Sequence, residues 1–173
     1  MAASKGHDEG MVRPMRIFLA IAVLLFTVPA IAADDQRIDR FTTDALKNFV
    51  PSELQWADEQ SLPKGAKFAL IGGDPKAAGV FMAYLKFPSD YVIPPHTHPY
   101  AELITILQGS AGNGVGESFD RDKGDVLKAG SSFTLPAKTP HYMWTEGEVV
   151  VLLVATGPWN ITYTDPKDDP RTN

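Results

Sequence analysis

The segment 94–109, PPHTHPYAELITILQG, places the strongest constraint on how this chain folds. His96 and His98 are two residues apart, so on one β-strand both imidazoles point to the same face. Glu102 cannot reach the same point on a straight strand, because four extended residues span roughly 13 Å. The chain therefore has to bend between His98 and Glu102, and Pro99, which fixes its own φ and lacks an N–H donor, is placed for that bend.

A third imidazole is available at His141. The chain contains four histidines, and His7 belongs to the polar stretch that begins the sequence. His141 lies in LPAKTPHYMW, where a proline precedes the histidine and aromatic residues follow it, as in the first segment. The two segments together indicate a metal site built from imidazole nitrogens and a carboxylate.

Short apolar runs separated by glycine- and proline-rich turns extend from residue 51 onward and predict an antiparallel β-sandwich or barrel. Asn113-Gly114 is typical of a β-hairpin turn. Residues 149–154, VVVLLV, are unbroken apolar, which predicts a strand covered on both faces. The predicted strands are 53–56, 67–71, 79–87, 91–94, 101–107, 125–128, 132–135, 141–145, 148–155 and 160–164.

The first histidine segment resembles the first motif of the cupin superfamily, written G-x5-H-x-H-x3,4-E-x6-G. His96, His98, Glu102 and Gly109 match it at that spacing, and Asp90 stands at the leading glycine. The departure falls at a turn and leaves the metal-ligand positions of the motif intact.

The second segment resembles the second cupin motif, written G-x5-P-x-G-x2-H-x3-N. Gly130, Pro136 and His141 match it, whereas Lys138 stands at the second glycine and Thr145 at the asparagine. A lysine in a turn that requires positive φ is strained, unless the turn differs here.

The resemblance covers residues 50 to 164 and implies an all-β fold, a single-domain cupin-type double-stranded β-helix or jelly-roll barrel. It also implies one divalent transition metal ion as cofactor. Imidazole suits Zn, Cu, Fe and Ni, and the carboxylate adds Mn, so the identity of the metal stays open. The implied metal ligands are His96, His98, Glu102 and His141.

Two functions are consistent with such a site. In oxygen-using cupins, as the resemblance implies, a ferrous or related ion binds an enolate or catecholate substrate and O2, with Glu102 as fourth ligand or as base. This favours a metal-dependent dioxygenase-type enzyme for a small metal-chelating substrate. The alternative is a non-catalytic module that binds a metal or small ligand. A storage-type cupin with a vestigial site is disfavoured, because the ligand positions are complete.

Strand parity predicts what lines the pocket. If Glu102 points into the barrel, Ile104 and Ile106 do so as well, and an inward His141 takes Met143 with it. The other faces are too apolar for free exposure, and they form either a homodimer interface or a surface beneath the N-terminal arm or a loop. Those outward residues are Leu103, Thr105, Leu107, Tyr142 and Trp144.

The N-terminal region reads as a secretory signal peptide over residues 1–32, with an Ala30-Ile31-Ala32 cleavage site. An uncleaved anchor and a later start, at Met11 or Met15, are the alternatives. Export to the periplasm or the medium follows from the leader. After it we expect a helix or arm at 33–50, the barrel at 51–164 and a flexible tail at 165–173.

Charge and cysteine content exclude several classes of function. The formal charge of −5 becomes −6 without residues 1–32, because these carry three cations and two anions. An acidic chain without a basic run is a poor ligand for nucleic acid or an anionic membrane. The chain has no cysteine, so neither a disulfide nor a Cys–His nucleophile is available.

Overall fold

The computed structural model describes residues 46–172, which all lie in the compact unit Gln36–Asn173. The regular structure of this part of the chain is β-strand, apart from short 3-10 helices at Pro51–Glu53, Arg121–Lys123 and Pro166–Asp168. The strands are β1 (Ala57–Asp58), β2 (Lys67–Gly72), β3 (Gly79–Phe87), β4 (Val92–Thr97), β5 (Glu102–Gln108), β6 (Ser110–Val115), β7 (Asp125–Lys128), β8 (Ser132–Leu135), β9 (His141–Thr145), β10 (Val149–Gly157) and β11 (Thr162–Tyr163).

The strands form two antiparallel sheets. One sheet has the order β1-β2-β3-β10-β5-β8 and the other has the order β11-β4-β9-β6-β7. One hydrophobic core receives side chains from both sheets, among them Phe81 and Ile106 from the first and Ile93 and Met143 from the second. The predicted all-β jelly-roll barrel is therefore confirmed.

Strands β3 and β10 each turn one face of their side chains to the core. Along both strands every second residue is buried and the residues between are half-buried. The prediction that residues 149–154 are covered on both faces is wrong, because Val150, Leu152 and Val154 lie on the outer face and stay half-exposed. The apolar run reflects a central strand with two antiparallel neighbours, β3 and β5, and a single buried face.

The predicted hairpin at Asn113-Gly114 is also wrong. Both residues lie inside strand β6, which pairs with β7 and β9. A Cβ at Gly112 would overlap the ring of Trp144, and a Cβ at Gly114 would overlap the ring of Tyr142. The glycines of this strand thus make room for two large rings, and the turn signal came from that packing requirement.

A loop covers the outer face of strand β9. Tyr142 and Trp144 are 1% and 2% exposed, and the Phe119 ring lies 5.2 Å from the first and 5.9 Å from the second. The Tyr142 hydroxyl donates to the carbonyl of Asp120 at 2.7 Å. The loop alternative therefore holds for this pair, whereas Leu103 and Leu107 on β5 remain 39% and 43% exposed.

Two residues at motif glycine positions adopt the left-handed conformation. The φ angles are 57° for Asp90 and 60° for Lys138. The turns therefore keep the geometry for which glycine is favoured. Aspartate tolerates that conformation better than lysine, because its short polar side chain can bond locally.

The ends of the barrel differ in part from the predictions. The strand predicted at 53–56 is replaced by the 3-10 turn Pro51–Glu53, and pairing starts at Ala57. The signal peptide at 1–32 and most of the helix or arm at 33–50 lie outside the described residues, while residues 46–50 are exposed and without regular structure. In the segment predicted to be a flexible tail, Arg171 donates to the carbonyl of Ile161 at 2.9 Å.

Among residues 46–172 there is no helix of the length and hydrophobicity needed to cross a bilayer.

Replacing Gly112 by alanine should destabilise the barrel, because the added methyl group has to displace the buried Trp144 ring. Overpacking of this kind costs about 1–3 kcal/mol of the free energy of unfolding. Urea unfolding of Gly112→Ala measures the loss. Gly147→Ala is the matched control, since nothing lies within 4 Å of its added carbon. Equal stability of the two variants would contradict this packing.

Candidate metal centre

Three histidines converge in the interior of the barrel. His96 lies on strand β4, His98 follows the end of that strand, and His141 begins strand β9, whose backbone pairs with His96. The exposed fractions of the three side chains are 3%, 6% and 6%. Each offers one ring nitrogen to a group whose ligand atoms all lie within 4.8 Å of one another.

Glu102 lies beside this cluster. The chain bends at Pro99 and Tyr100, as the sequence predicts, and strand β5 then starts at Glu102. The carboxylate atom Oε2 is 3.5 Å from Nε2 of His98. The compact group with ligand atoms within 4.8 Å consists of the three histidines, and Glu102 stands next to it.

Backbone carbonyls fix the orientation of all three rings. Nδ1 of His96 bonds to the carbonyl of Pro94 at 2.7 Å, and Nδ1 of His141 bonds to the carbonyl of Thr139 at 2.9 Å. Nδ1 of His98 bonds to the carbonyl of Asn160 at 2.9 Å. A carbonyl only accepts, so each Nδ1 carries the proton and each Nε2 keeps its lone pair. This is the tautomer that a metal-binding histidine requires.

Burial also sets the charges of these groups. It lowers the pKa of His98 to about 4 and holds the pKa values of His96 and His141 below their ordinary value. Burial raises the pKa of Glu102 to about 7, against the opposing effect of a hydrogen bond from Trp159. Near neutral pH the imidazoles are therefore uncharged, and the 3.5 Å contact between His98 and Glu102 is not an ion pair of opposite charges.

Trp159 belongs to the site, although the sequence reasoning missed it. Its indole Nε1–H donates to Oε1 of Glu102 at 2.5 Å. Its ring stacks on the ring of His98, with centroids 5.4 Å apart and planes at 15°. Trp159 follows strand β10, far from both histidine segments in sequence, and no motif or spacing pointed to it.

The histidines and Glu102 border a cavity of about 50 Å³. Ile104 and Met143 line it, as strand parity predicts. Ile106 does not line it. It is fully buried in the core two residues further along β5, about 7 Å beyond Ile104. The wall is otherwise mostly aliphatic and aromatic: Leu62, Leu85, Phe87, Ile93, Phe133, Leu135, Val151, Leu153 and Trp159.

The donor set fits a divalent transition metal ion. Three neutral imidazoles present Nε2 lone pairs toward one another in a buried pocket, and a carboxylate lies within reach. Such nitrogen-rich sites with one carboxylate suit first-row transition metals, and the carbonyl partners of Nδ1 are the outer contacts that orient metal-binding histidines.

Comparisons with known proteins find a family likeness and two germin-like relatives. A family model described as "Cupin domain" matches residues 84–156, which include the three histidines and Glu102. Germin-like protein 3-1 of Oryza sativa subsp. japonica is 29% identical over 131 residues, which cover 75% of this chain and 55% of the relative. Germin-like protein subfamily T member 2 of Arabidopsis thaliana is 25% identical over 163 residues, covering 82% of this chain and 74% of the relative. The chain thus spans about half the length of the first relative.

Solved structures share the fold at lower sequence identity. The polyketide cyclase RemF from Streptomyces resistomycificus aligns with a TM-score of 0.60 and 19% identity, over 73% of this chain and 91% of that chain. An RmlC-like cupin from Shewanella frigidimarina aligns with a TM-score of 0.51 and 15% identity, over 65% of this chain and 91% of that chain. At these identities the likeness establishes the barrel fold alone.

Without metal, the protein should lose stability as the pH falls from about 6.5 toward 4. The folded-state pKa values of the three histidines are lowered, so the unfolded chain takes up protons first. Their contribution is fully present above the ordinary histidine pKa and is lost on acidification. Urea unfolding of chelator-treated protein across this pH range measures the trend.

Glu102 should act in the opposite direction, since its raised pKa makes the folded chain bind a proton first as the pH falls below about 7. Its contribution is lost as the pH rises from about 4.5 to 7. Glu102→Gln should therefore steepen the rise of stability with pH, and His98→Gln should flatten it. A flat wild-type profile would contradict the burial of neutral imidazoles.

Proposed function

Because this chain belongs to the cupin superfamily, we propose that it is an exported metal-binding protein and a metal-dependent oxygenase that acts on a small metal-chelating substrate. The observation that carries the proposal is the convergence of three Nε2 lone pairs, each fixed by a carbonyl on Nδ1. The proposed ligands of one divalent transition metal ion are His96, His98, His141 and Glu102.

A divalent metal ion held by His96, His98, His141 and Glu102 would supply Lewis acidity toward a chelating substrate. The protein supplies the remaining requirements. The neutral histidines bind without first losing a proton, and the apolar wall limits the access of water. Burial raises the pKa of the Glu102 carboxyl to about 7 in the metal-free site, and the charge of a bound cation would favour its ionised form, which suits either a ligand or a general base.

The cavity restricts the substrate. At about 10–15 Å³ for each water molecule, a cavity of about 50 Å³ holds roughly three to five water molecules. Among the described residues no lysine or arginine lines it. Apart from the four candidate ligands, the lining residues with polar side-chain atoms are Asn113, Trp159 and Tyr142, and the Tyr142 hydroxyl bonds to Asp120 on the outer face. A substrate that enters must therefore be small and must direct its polar atoms to the metal ion, which supports a chelating enol-type group; the ring of a catechol would have to lie partly outside this cavity.

Export is proposed from the leader pattern at residues 1–32. The pattern has a basic segment, a short apolar segment and an A-x-A site. N-terminal sequencing of protein secreted by its own host, with Ala33 as the expected first residue, tests this part separately from the chemistry.

Replacing His96 or His141 by alanine should abolish stoichiometric metal binding, because each removes one of three converging nitrogens. Elemental analysis of protein matured outside the cytoplasm measures the metal content. Thr145→Val is the matched control. Thr145 is fully buried on the same strand as His141, and its hydroxyl donates to the carbonyl of Pro88 at 2.7 Å. This control should lose about 1–3 kcal/mol of stability and keep its metal. Metal retained in both histidine variants would overturn the site.

Oxygen consumption should distinguish an enzyme from a binding module. We expect metal-loaded protein to consume O2 with a small enol- or catechol-type compound and His141→Ala to be inactive. Tight retention of a ligand without any oxygen uptake across a panel of such compounds would instead favour the non-catalytic binding module.

A further inference from the structure

We propose that Trp159 is a positioning residue for the metal centre, whose indole N–H holds one oxygen of Glu102 so that the carboxylate offers only its other oxygen to the metal ion. This inference rests on the proposed function, since it assumes that a metal ion binds at the histidines.

The contact with Trp159 gives the two oxygens of Glu102 different partners. The indole Nε1–H is a donor only, and it bonds to Oε1. Oε2 is the atom that lies 3.5 Å from Nε2 of His98. Glu102 is 6% exposed, so water has little access to release Oε1 from Trp159. The oxygen that faces the histidines is thereby fixed.

The same segment also orients His98. The Trp159 ring stacks on the imidazole with planes at 15°, and the next residue, Asn160, offers its carbonyl to Nδ1 of His98 at 2.9 Å. Two consecutive residues thus contact two of the four proposed ligands. The Nδ1 atoms of His96 and His141 do not depend on this segment, because each bonds to the carbonyl of the residue two positions earlier in the chain.

The segment itself is held in place from several sides. The backbone N–H of Trp159 donates to the carbonyl of Pro75 at 2.7 Å, and the Phe81 ring meets the indole edge-on at 6.3 Å. Arg171 donates to the carbonyl of Ile161 at 2.9 Å. The indole is therefore placed by the loop before β3 and by the C-terminal residues, and it can orient Glu102 without moving.

If Trp159 served only to fill space, it would not need an indole N–H. Trp159 is only half-buried, and a phenylalanine would fill much of the same space beside Phe81. Its polar atom nevertheless points at the one buried carboxyl among the candidate ligands. Without this bond, Oε1 is free to join Oε2 on the metal ion, or the carboxylate is free to turn away. Either change alters the number of positions left for a substrate.

The test is Trp159→Phe, which keeps an aromatic ring on His98 and removes the N–H. We expect one metal ion per chain, with the Kd for Zn²⁺, measured against a chromophoric chelator, raised about 10–100-fold. The visible spectrum of the Co²⁺-loaded variant should change in band position and intensity, because these depend on coordination number. Trp56→Phe is the matched control, since Trp56 lies under Lys86 away from the site, and it should leave both readouts unchanged.

A double-mutant cycle separates positioning from general destabilisation. If Trp159 acts through Glu102, Trp159→Phe should change the Zn²⁺ affinity little in a Glu102→Ala background. Additive effects of the two substitutions, or a Trp159→Phe variant with wild-type affinity and spectrum, would overturn the role of Trp159 while metal binding by the wild type stands. Wild-type protein that binds neither metal would overturn both proposals.

A second measurement applies if Trp159→Phe does not fold. The chain has three tryptophans, so three indole N–H signals are expected in a ¹⁵N-edited NMR spectrum, and Trp56→Phe and Trp144→Phe help to assign that of Trp159. We expect the Trp159 signal of the wild type to be shifted downfield and slow to exchange, and to move upfield in Glu102→Ala. If the chemical shift and the exchange rate of the Trp159 signal are the same in Glu102→Ala as in the wild type, the hydrogen bond is overturned.

Discussion

Four buried polar side chains border a cavity in the barrel interior whose other walls are mostly apolar, and each of them requires a partner. A buried polar group without a hydrogen bond costs about 1–3 kcal/mol. His96, His98 and His141 meet this requirement with backbone carbonyls, and Glu102 meets it with the indole N–H of Trp159. These partners use Nδ1 of each ring and Oε1 of Glu102. The three histidines keep ligand atoms within 4.8 Å of one another, and Oε2 of Glu102 lies 3.5 Å from Nε2 of His98. The same bonds that make the interior stable without a metal therefore prepare it for one.

The local half of this arrangement could be predicted from the sequence. The two-residue spacing of His96 and His98 places both rings on one face, and the bend at Pro99 brings Glu102 back to them. These are properties of a few consecutive residues. The pairing of His96 with His141 is not local, and here the resemblance to a family supplied what spacing could not.

The contacts between distant parts of the chain depend on which strands become neighbours. Trp159 reaches Glu102 only because β10 pairs with β5, and nothing in the residues around Trp159 indicates that pairing. The glycines of β6 also depend on which strand lies beside them. A turn signal and a need for space beside a ring produce the same residue type, and the presence of Trp144 on the neighbouring strand decides between them. Strand parity gave the direction of Ile106 but not its depth, because depth depends on where the opposite sheet closes the cavity.

The turn at Lys138 links the two histidine segments directly. Its backbone N–H donates to the carbonyl of His98 at 2.8 Å, and the residue sits three positions before His141. A non-glycine residue in the left-handed region costs roughly 1–2 kcal/mol, so this conformation persists because its surroundings impose it. The hydrogen bond to His98 is one such constraint. It ties the chain leaving the first two imidazoles to the chain entering the third, so a relaxation of Lys138 toward negative φ that keeps this bond has to move the chain leading to His141. Strain at this turn and alignment of the histidines are therefore two consequences of one backbone path.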